Sequence, residues 1–235
     1  MPFDINTVPK IKLGKASKND IDLKKVGNSY YLYRLGRQEM YLNLHTNKEI
    51  KEMYSSYDLG YGDILIGGLG FGILPLWLAN KPDVTSVKVI EISQSVVDIF
   101  LERNDIPDNF TIEVADVDTY TTDKHYDCVM VDHYELSLPE WRQRSMQQIA
   151  KNIPNHNLFW SWAMEETYLR LVYNTFDDKE LECFQNNQDF SDKWEHFRTD
   201  ILNMPTVPSL SSQKINEYIY TFIDFLDSPY ANIIE

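Results

Sequence analysis

DILIGGLGFG, residues 63–72, is the stretch of this 235-residue chain that decides its fold. The apolar run 64–66 is short and ends at glycine, which is typical of a buried strand in a parallel sheet. Beyond the glycines, Ile73, Leu76 and Trp77 recur at helical spacing. The glycines therefore lie where a strand turns into a helix. Glycine lets the backbone approach a ligand closely, and the first N–H groups of the following helix can bind polar ligand atoms.

Strands and helices alternate downstream of this glycine loop. Four further strands are predicted, namely SVKVIE (86–91), FTIEV (110–114), YDCVMVD (126–132) and NLFWSWA (157–163). Apolar residues recur at helical spacing between them, first around Val96 and Phe100 and then along 138–153. This alternation predicts an α/β fold, with a doubly wound, Rossmann-like parallel sheet covered by helices on both faces.

The regions on either side of this core have different patterns. Residues 29–44 (SYYLYRLGRQEMYLNL) predict a β-hairpin that turns at Leu35-Gly36, and a short polar helix is expected at 47–57. After residue 164, apolar stripes at helical spacing predict a helical C-terminal extension that packs on the core. The chain is therefore divided into an N-terminal arm and hairpin (1–58), a ligand-binding α/β core (59–164) and a helical C-terminal part (165–235).

The charge of the chain limits its partners. The formal net charge is −14. An acidic chain repels the phosphate backbone, which argues against nucleic acid as a general partner, and no apolar run approaches the length of a membrane span. With two cysteines and no apolar leader segment, a cytoplasmic protein is expected. The apolar stripes of the acidic C-terminal helices are compatible with a homodimer.

Acidic residues follow the second and third predicted strands, at the same edge of the sheet as the glycine loop. Glu91 ends the second strand, and its carboxylate can accept hydrogen bonds from both ribose hydroxyls of an adenosine. Asp116 follows the third strand and can accept a hydrogen bond from an adenine amino group, while the Val117 N–H is available to a ring nitrogen. Because open parallel sheets bind ligands at this edge, an adenosine-containing ligand is predicted.

The glycine loop does not match two common nucleotide sites. The dinucleotide fingerprint G-x-G-x-x-G would need a glycine at Ile73 or Pro75, whereas the pattern here is G-x-G-x-G. A phosphate-binding P-loop would need a Gly-Lys-Ser/Thr sequence, which this loop lacks, and it carries no Lys or Arg to neutralise a triphosphate. An acid-rich pocket instead suits a ligand that carries positive charge, such as a sulfonium.

Four motifs of the core resemble those of a known family. IGGLGFG (66–72), VIEI (89–92), VADV (114–117) and YDCVMVD (126–132) are similar to successive motifs of the class I S-adenosylmethionine-dependent methyltransferases. The resemblance implies S-adenosylmethionine as the cofactor, with the glycine loop holding its methionine moiety, Glu91 its ribose and Asp116 its adenine. The cofactor-binding residues that it implies are Gly67, Gly68, Gly70, Gly72, Glu91, Ile92, Asp116, Val117 and Asp132.

Within that family, the hairpin before the glycine loop resembles the spermidine-synthase-like branch. Polyamine synthases carry an aspartate where this loop has Gly70, and an Asp-Ser/Thr-rich segment where this chain has DHYE (132–135). Both differences argue against aminopropyl transfer. The resemblance therefore implies a methyltransferase that acts on a small-molecule acceptor. A spermidine-synthase-like aminopropyltransferase and a non-catalytic binding protein of the same fold are the alternatives.

The DHYE segment follows the fourth strand, next to the expected position of the transferred methyl group. His133 is the candidate general base for an O- or N-acceptor, Asp132 can orient the acceptor or the sulfonium, and Tyr134 can wall the acceptor pocket. Trp160 and Trp162 either contribute to the same wall or belong to the core. No metal is expected, because the acids that follow the fifth strand resemble the first turn of a helix.

Overall fold

The computed structural model of the protein describes residues 7–43, 48–133 and 139–162. The strands in these ranges are β1 (Ala16–Lys18), β2 (Ile21–Val26), β3 (Ser29–Arg34), β4 (Arg37–Asn43), β5 (Gly62–Gly67), β6 (Val84–Glu91), β7 (Phe110–Val114), β8 (Tyr126–Val131) and β9 (His156–Ser161). The helices are α1 (Lys48–Glu52), α2 (Tyr54–Leu59), α3 (Ile73–Ala79), α4 (Gln94–Leu101) and α5 (Pro139–Asn152).

The last five strands form a parallel sheet in the order β7-β6-β5-β8-β9. The chain starts at the central strand β5, moves outward to β7, and then crosses back to place β8 on the other side of β5. The predicted doubly wound α/β sheet is confirmed. In such sheets the ligand-binding crevice lies where the strand order reverses, which here is at the carboxyl ends of β5 and β8.

The two faces of the parallel sheet are buried separately. On one face, Ile64 and Ile66 of β5 join the main hydrophobic cluster, which also contains residues of α3 and α4. Leu65 points to the other face, because successive side chains of a strand alternate, and it is 0% exposed. Ile149 of α5 is buried as well but lies outside the main cluster. Burial on both faces explains why these strands have nearly continuous apolar sequences.

The N-terminal region forms a second sheet, an antiparallel meander in the order β1-β2-β3-β4. The predicted hairpin consists of β3 and β4, and its turn has φ values of 49° at Leu35 and 80° at Gly36. Positive φ at both central residues matches the twist of the flanking strands. Strands β1 and β2 were not predicted from the sequence. Strand β2 reads IDLKKV and buries only Ile21 and Leu23, so its charged residues obscure the alternation.

The antiparallel sheet packs against the α/β core through one shared hydrophobic cluster. Ile21 and Leu42 of the sheet are each 1% exposed and belong to the same cluster as Phe71 of the glycine loop and Phe100 of α4. The N-terminal sheet therefore lies beside the glycine loop, on the side of the core that carries α4.

Two predictions outside the sheets have different outcomes. The polar helix expected at 47–57 is instead two short helices, α1 and α2, which are separated at Met53. The helical C-terminal part predicted for 165–235 lies outside the described residues. Among the helices that the structure does describe, none is both long enough and apolar enough to cross a membrane.

Candidate functional site

The glycine loop that follows β5 has a backbone that favours glycine at three positions. The φ angle is 99° at Gly68, 55° at Gly70 and 81° at Gly72. A Cβ atom at Gly68 would collide with the carbonyl oxygen of Asp132, and one at Gly70 would lie 2.7 Å from Cε of Met40. The positive φ favours glycine at all three positions, and at Gly68 the backbone of Asp132 also leaves no room for a Cβ atom.

Backbone hydrogen bonds fix this loop to the two neighbouring strand ends. The Gly68 N–H donates to the carbonyl of Ile90 in β6 at 2.8 Å, and the Asp132 N–H, which follows β8, donates to the carbonyl of Gly67 at 2.7 Å. The loop is therefore held between the carboxyl ends of β6 and β8, the two strands that flank β5. The predicted position of Gly67, Gly68 and Asp132 at one edge of the sheet agrees with this geometry.

Glu91 ends β6 and also holds the loop. Its Oε2 accepts the Leu69 N–H at 2.8 Å, and its Oε1 accepts the Ser93 N–H at 2.8 Å. Glu91 is 8% exposed, and burial raises the pKa of its carboxyl above the usual 4.5, against the opposing effect of these backbone hydrogen bonds and of Arg34. Because each carboxylate oxygen has two lone pairs, this arrangement is still compatible with the predicted bonds to ribose hydroxyls.

Exposed apolar side chains flank Glu91. Ile92, the next residue, is 53% exposed. Val114, which is the register partner of Glu91 on β7, is 43% exposed. An apolar surface with a few convergent polar groups is the usual composition of a small-molecule site. Exposed apolar surface therefore lies on either side of the Glu91 carboxylate at the edge of β6 and β7.

Asp116 lies at the same edge, just beyond β7. The Ala115 N–H donates to the carbonyl of Glu91 at 3.1 Å, which fixes the segment next to the end of β6. The Asp116 side chain is exposed, and its Oδ1 accepts the Asp118 N–H at 3.0 Å, as in an Asx turn. Val117 is 5% exposed. The structure therefore places Glu91 and Asp116 on adjacent strand ends, as predicted, and gives the Asp116 carboxylate a local structural contact as well.

His133 lies two residues beyond β8, and its side chain contacts two polar groups from other segments. Its Nε2 lies 3.2 Å from Oδ1 of Asp118 and 3.3 Å from Oγ of Ser145. Burial lowers the pKa of His133 below its usual 6.5, and the negative charges of Asp118 and Asp116 oppose that shift. The ring is therefore neutral at physiological pH.

Asp118 and Ser145 were not predicted as site residues. Asp118 follows Asp116 by two residues in the same turn, and Ser145 is a polar residue within the apolar stripe of α5. A serine on a buried helix face is a signal that it has a hydrogen-bond partner in the interior. The sequence does not say that this partner is on the segment between β7 and β8.

The aromatic side chains predicted at the site are Tyr134, Trp160 and Trp162. Tyr134 lies outside the described residues, so its role stays a prediction. Trp160 is 1% exposed and donates its Nε1–H to Oγ of Ser55 at 3.2 Å, so it belongs to the core. Trp162 is partly buried and packs against the main hydrophobic cluster.

The fold can be compared with solved structures. A protein from Pyrococcus horikoshii, described as a candidate RNA methyltransferase, has 18% sequence identity and a TM-score of 0.39 over 55% of this chain and 65% of that chain. For magnesium protoporphyrin IX methyltransferase from Synechocystis with bound S-adenosylhomocysteine, the values are 19% and 0.33, over 43% and 47%. For a tRNA (uracil-54, C5)-methyltransferase from Pyrococcus abyssi, they are 16% and 0.36, over 67% and 38%.

These likenesses concern the fold alone, because the identities are 19% or lower. The chain spans between 38% and 65% of the length of these three proteins. The sequence matches no protein-family model, and no curated protein matches it.

Proposed function

We propose that this protein binds S-adenosylmethionine and transfers its methyl group to a small-molecule acceptor. The proposal is supported mainly by one contact between the ends of β5 and β6. The buried carboxylate of Glu91 accepts the N–H of Leu69 in the glycine loop, and the next residue, Ile92, is exposed. A glycine loop, an acid and an apolar surface thus converge at the edge where open parallel sheets bind ligands.

The residues present fit an adenosine sulfonium. The glycine loop brings backbone close to the ligand without side chains, which suits the methionine moiety, and it carries no Lys or Arg that would repel a sulfonium. Glu91 supplies acceptors for ribose hydroxyls, and Ile92 supplies an apolar face for adenine. Asp116 and the Val117 N–H are the groups proposed to select the adenine edge.

When bound, this cofactor supplies an electrophilic methyl group. The protein's own part is to align the acceptor and to take its proton. His133 is the proposed base, because burial holds its pKa below 6.5 and therefore keeps the ring unprotonated at neutral pH. Asp132 is proposed to orient the acceptor, since its backbone is fixed to Gly67 at the centre of the crevice.

Aminopropyl transfer of the spermidine-synthase-like kind is the second candidate. It is favoured by the antiparallel N-terminal sheet, whose Met40 lies against Gly70 of the glycine loop. The glycine loop argues against it, because Gly70 stands where polyamine synthases have an aspartate. Methyl transfer is therefore proposed first.

Calorimetric titration of the whole chain with S-adenosylhomocysteine tests the proposal. We expect binding to the wild type, and a Glu91→Gln variant that binds about 10- to 100-fold more weakly, since hydrogen bonds to a charged group contribute about 1.5–3 kcal/mol. Glu113→Gln is the matched control, because Glu113 is an exposed acid on the adjacent strand that pairs with Lys88. Equal binding by the wild type and Glu91→Gln would show that Glu91 does not contact the ligand.

Two further outcomes separate the alternatives. Tighter binding of decarboxylated S-adenosylmethionine than of S-adenosylmethionine would favour aminopropyl transfer. Cofactor binding without formation of S-adenosylhomocysteine, across a panel of small hydroxyl and amine acceptors, would favour a binding protein that does not catalyse transfer.

A further inference from the structure

The N-terminal sheet has one face in the core and an opposite face that carries tyrosines. Because side chains alternate along a strand, Tyr31 and Tyr33 of β3 lie on the face opposite to the buried Tyr30 and Leu32. The strand register places Tyr41 of β4 beside Tyr31 on that same face. Tyr31, Tyr33 and Tyr41 are all partly exposed. We call these three residues the tyrosine face.

The three rings of the tyrosine face lie in mutual contact, with Tyr31 at the centre. The centroid of the Tyr31 ring is 6.2 Å from that of Tyr33, and the two planes differ by 29°. The centroids of Tyr31 and Tyr41 are 5.1 Å apart, with an angle of 47°. The Asn43 Nδ2 donates to the Tyr41 hydroxyl oxygen at 2.6 Å and fixes the outer ring. The sheet thus presents a continuous aromatic surface that spans two strands.

Positive charge stands beside these rings. Lys24 of β2 is the register partner of Tyr31, and its Nζ lies 4.6 Å from the centroid of the Tyr33 ring. The Lys24 ammonium also lies 3.8 Å from Oδ2 of Asp22, but the two side chains are 55% and 42% exposed, so water screens this ion pair. The next residue, Lys25, is exposed as well. Ammonium groups at the rim of the tyrosine face can therefore reach an anion.

The charge of this region is opposite to that of the rest of the chain. Residues 7–43 contain eight Lys and Arg and three Asp and Glu, which gives a formal charge of +5. The whole chain carries −14, so the remaining residues carry −19. At 0.1 M salt a charge acts over about 10 Å. The local positive charge therefore governs what approaches the tyrosine face, and the argument from net charge against nucleic acid does not extend to it.

The partner must match both the rings and the lysines. A single-stranded nucleic acid does so, because its unpaired bases stack on aromatic side chains while its phosphates contact Lys or Arg. An acidic peptide would use the lysines but not the rings, and a duplex keeps its base faces covered. We propose that the tyrosine face and Lys24 bind a single-stranded nucleic acid, with bases stacked on the tyrosines and a phosphate at Lys24. This inference does not rest on the proposed methyl transfer.

Fluorescence anisotropy of the whole chain with labelled oligonucleotides tests the proposal. The probes are a single-stranded RNA of about 12 nucleotides, a single-stranded DNA of the same sequence, and the corresponding duplex. At about 50 mM salt we expect at least one of the single strands to bind more tightly than the duplex, and the RNA and DNA arms show which sugar is preferred. Absence of binding by both single strands, or tighter binding of the duplex, would overturn the proposal.

Variants of the central ring separate stacking from a structural role. Tyr31→Val retains a residue that favours strands but removes the aromatic face, and it should weaken binding of the single strand about 10-fold. Tyr31→Phe keeps that face and should bind like the wild type. The control is Tyr61→Val, at a tyrosine outside the N-terminal sheet that is 41% exposed. Unweakened binding by folded Tyr31→Val would contradict the proposal. If Tyr31→Val does not fold, Tyr33→Val decides with the same expectation.

The salt dependence of binding tests the phosphate contact. Lys24→Gln should lower the slope of log Kd against log salt concentration by about 0.7, the effect of one lost phosphate contact on a single strand. Lys124→Gln, at a lysine that is 52% exposed and also lies over a tyrosine ring, should leave the slope unchanged. An unchanged slope in Lys24→Gln would contradict the contact.

Polyglutamate serves as an anion without bases. We expect it to bind more weakly than the single strand and to bind Tyr31→Val as well as the wild type. Polyglutamate that binds as tightly as the single strand would identify an acidic protein segment as the partner and would overturn the proposal. None of these titrations contains a cofactor, so failure of the tyrosine face and failure of the proposed function are distinguishable.

Discussion

The carboxylate of Glu91 accepts the backbone N–H of Leu69 at 2.8 Å, so the acid that ends β6 fixes the loop that ends β5. The same carboxylate accepts the N–H of Ser93, the N-cap residue of α4, through its other oxygen. One buried side chain thus couples the glycine loop, β6 and the start of the next helix. A ligand that bonds to Glu91 would contact a group that is already preorganised.

The glycine loop should be intolerant of a side chain at Gly68. We expect Gly68→Ala to lower the free energy of unfolding by about 2–4 kcal/mol, because it combines a strained positive φ with a collision against the Asp132 carbonyl. Urea unfolding measures this. The control is Gly36→Ala, which has φ of 80° but no atom within 4 Å of the new Cβ. A Gly68→Ala cost no larger than the Gly36→Ala cost would mean that the loop is not packed as described.

The buried Glu91 carboxyl should make stability depend on pH. Its pKa in the folded protein is raised above 4.5, mainly by burial, so the folded state binds the proton more tightly than the unfolded state. The stabilisation is complete below about 4.5 and is lost as the pH rises through the folded value. The difference in unfolding free energy between wild type and Glu91→Gln should therefore decrease as the pH rises above 4.5. A difference that increases over that range would contradict the burial of Glu91.

His133 should act in the opposite direction. Burial lowers its pKa below 6.5, so the unfolded state binds the proton more tightly. The contribution to stability is present above about 6.5 and is lost as the pH falls through the folded value. Unfolding in urea across this range should show a loss in the wild type that His133→Gln lacks. His125→Gln, at an exposed histidine, should behave like the wild type.

Ile92 should contribute to binding more than to folding. Because its side chain is 53% exposed, Ile92→Ser should change the free energy of unfolding by no more than about 0.5 kcal/mol. Binding of S-adenosylhomocysteine should weaken about 5-fold or more if the side chain covers adenine. Ile106→Ser, at an isoleucine that is 39% exposed and precedes the amino end of β7, should not alter binding. Equal effects of the two variants would place the adenine elsewhere.

The parallel sheet could be predicted from the sequence because its strands are buried on both faces and read as apolar runs. Strand β5, stopped by Gly67, and strand β8 are of this kind. Strand β2 could not be predicted, since only Ile21 and Leu23 are buried and the remaining residues are charged or exposed. A strand can be recognised in the sequence only when its buried positions form a sufficiently long apolar pattern.

The sequence predicts the part of the candidate site whose residues follow adjacent strands. It does not predict the part whose residues meet only through tertiary packing. Glu91 and Asp116 end adjacent strands, so topology alone brings them together. Asp118 and Ser145 are separated by 27 residues and meet only because α5 packs on the segment after β7. The sequence leaves two roles open for Trp160, because an aromatic residue at a strand end has the same pattern whether it faces a pocket or the core.

The measurement that tests the central claim most directly is the melting temperature of the whole chain with a panel of adenosine ligands. The panel is S-adenosylmethionine, S-adenosylhomocysteine, decarboxylated S-adenosylmethionine, methylthioadenosine and NAD. A ligand that binds only the folded state raises the melting temperature. We predict increases with S-adenosylmethionine and S-adenosylhomocysteine and none with NAD. No increase with any adenosine ligand would contradict the account and would make the glycine loop and Glu91 purely structural.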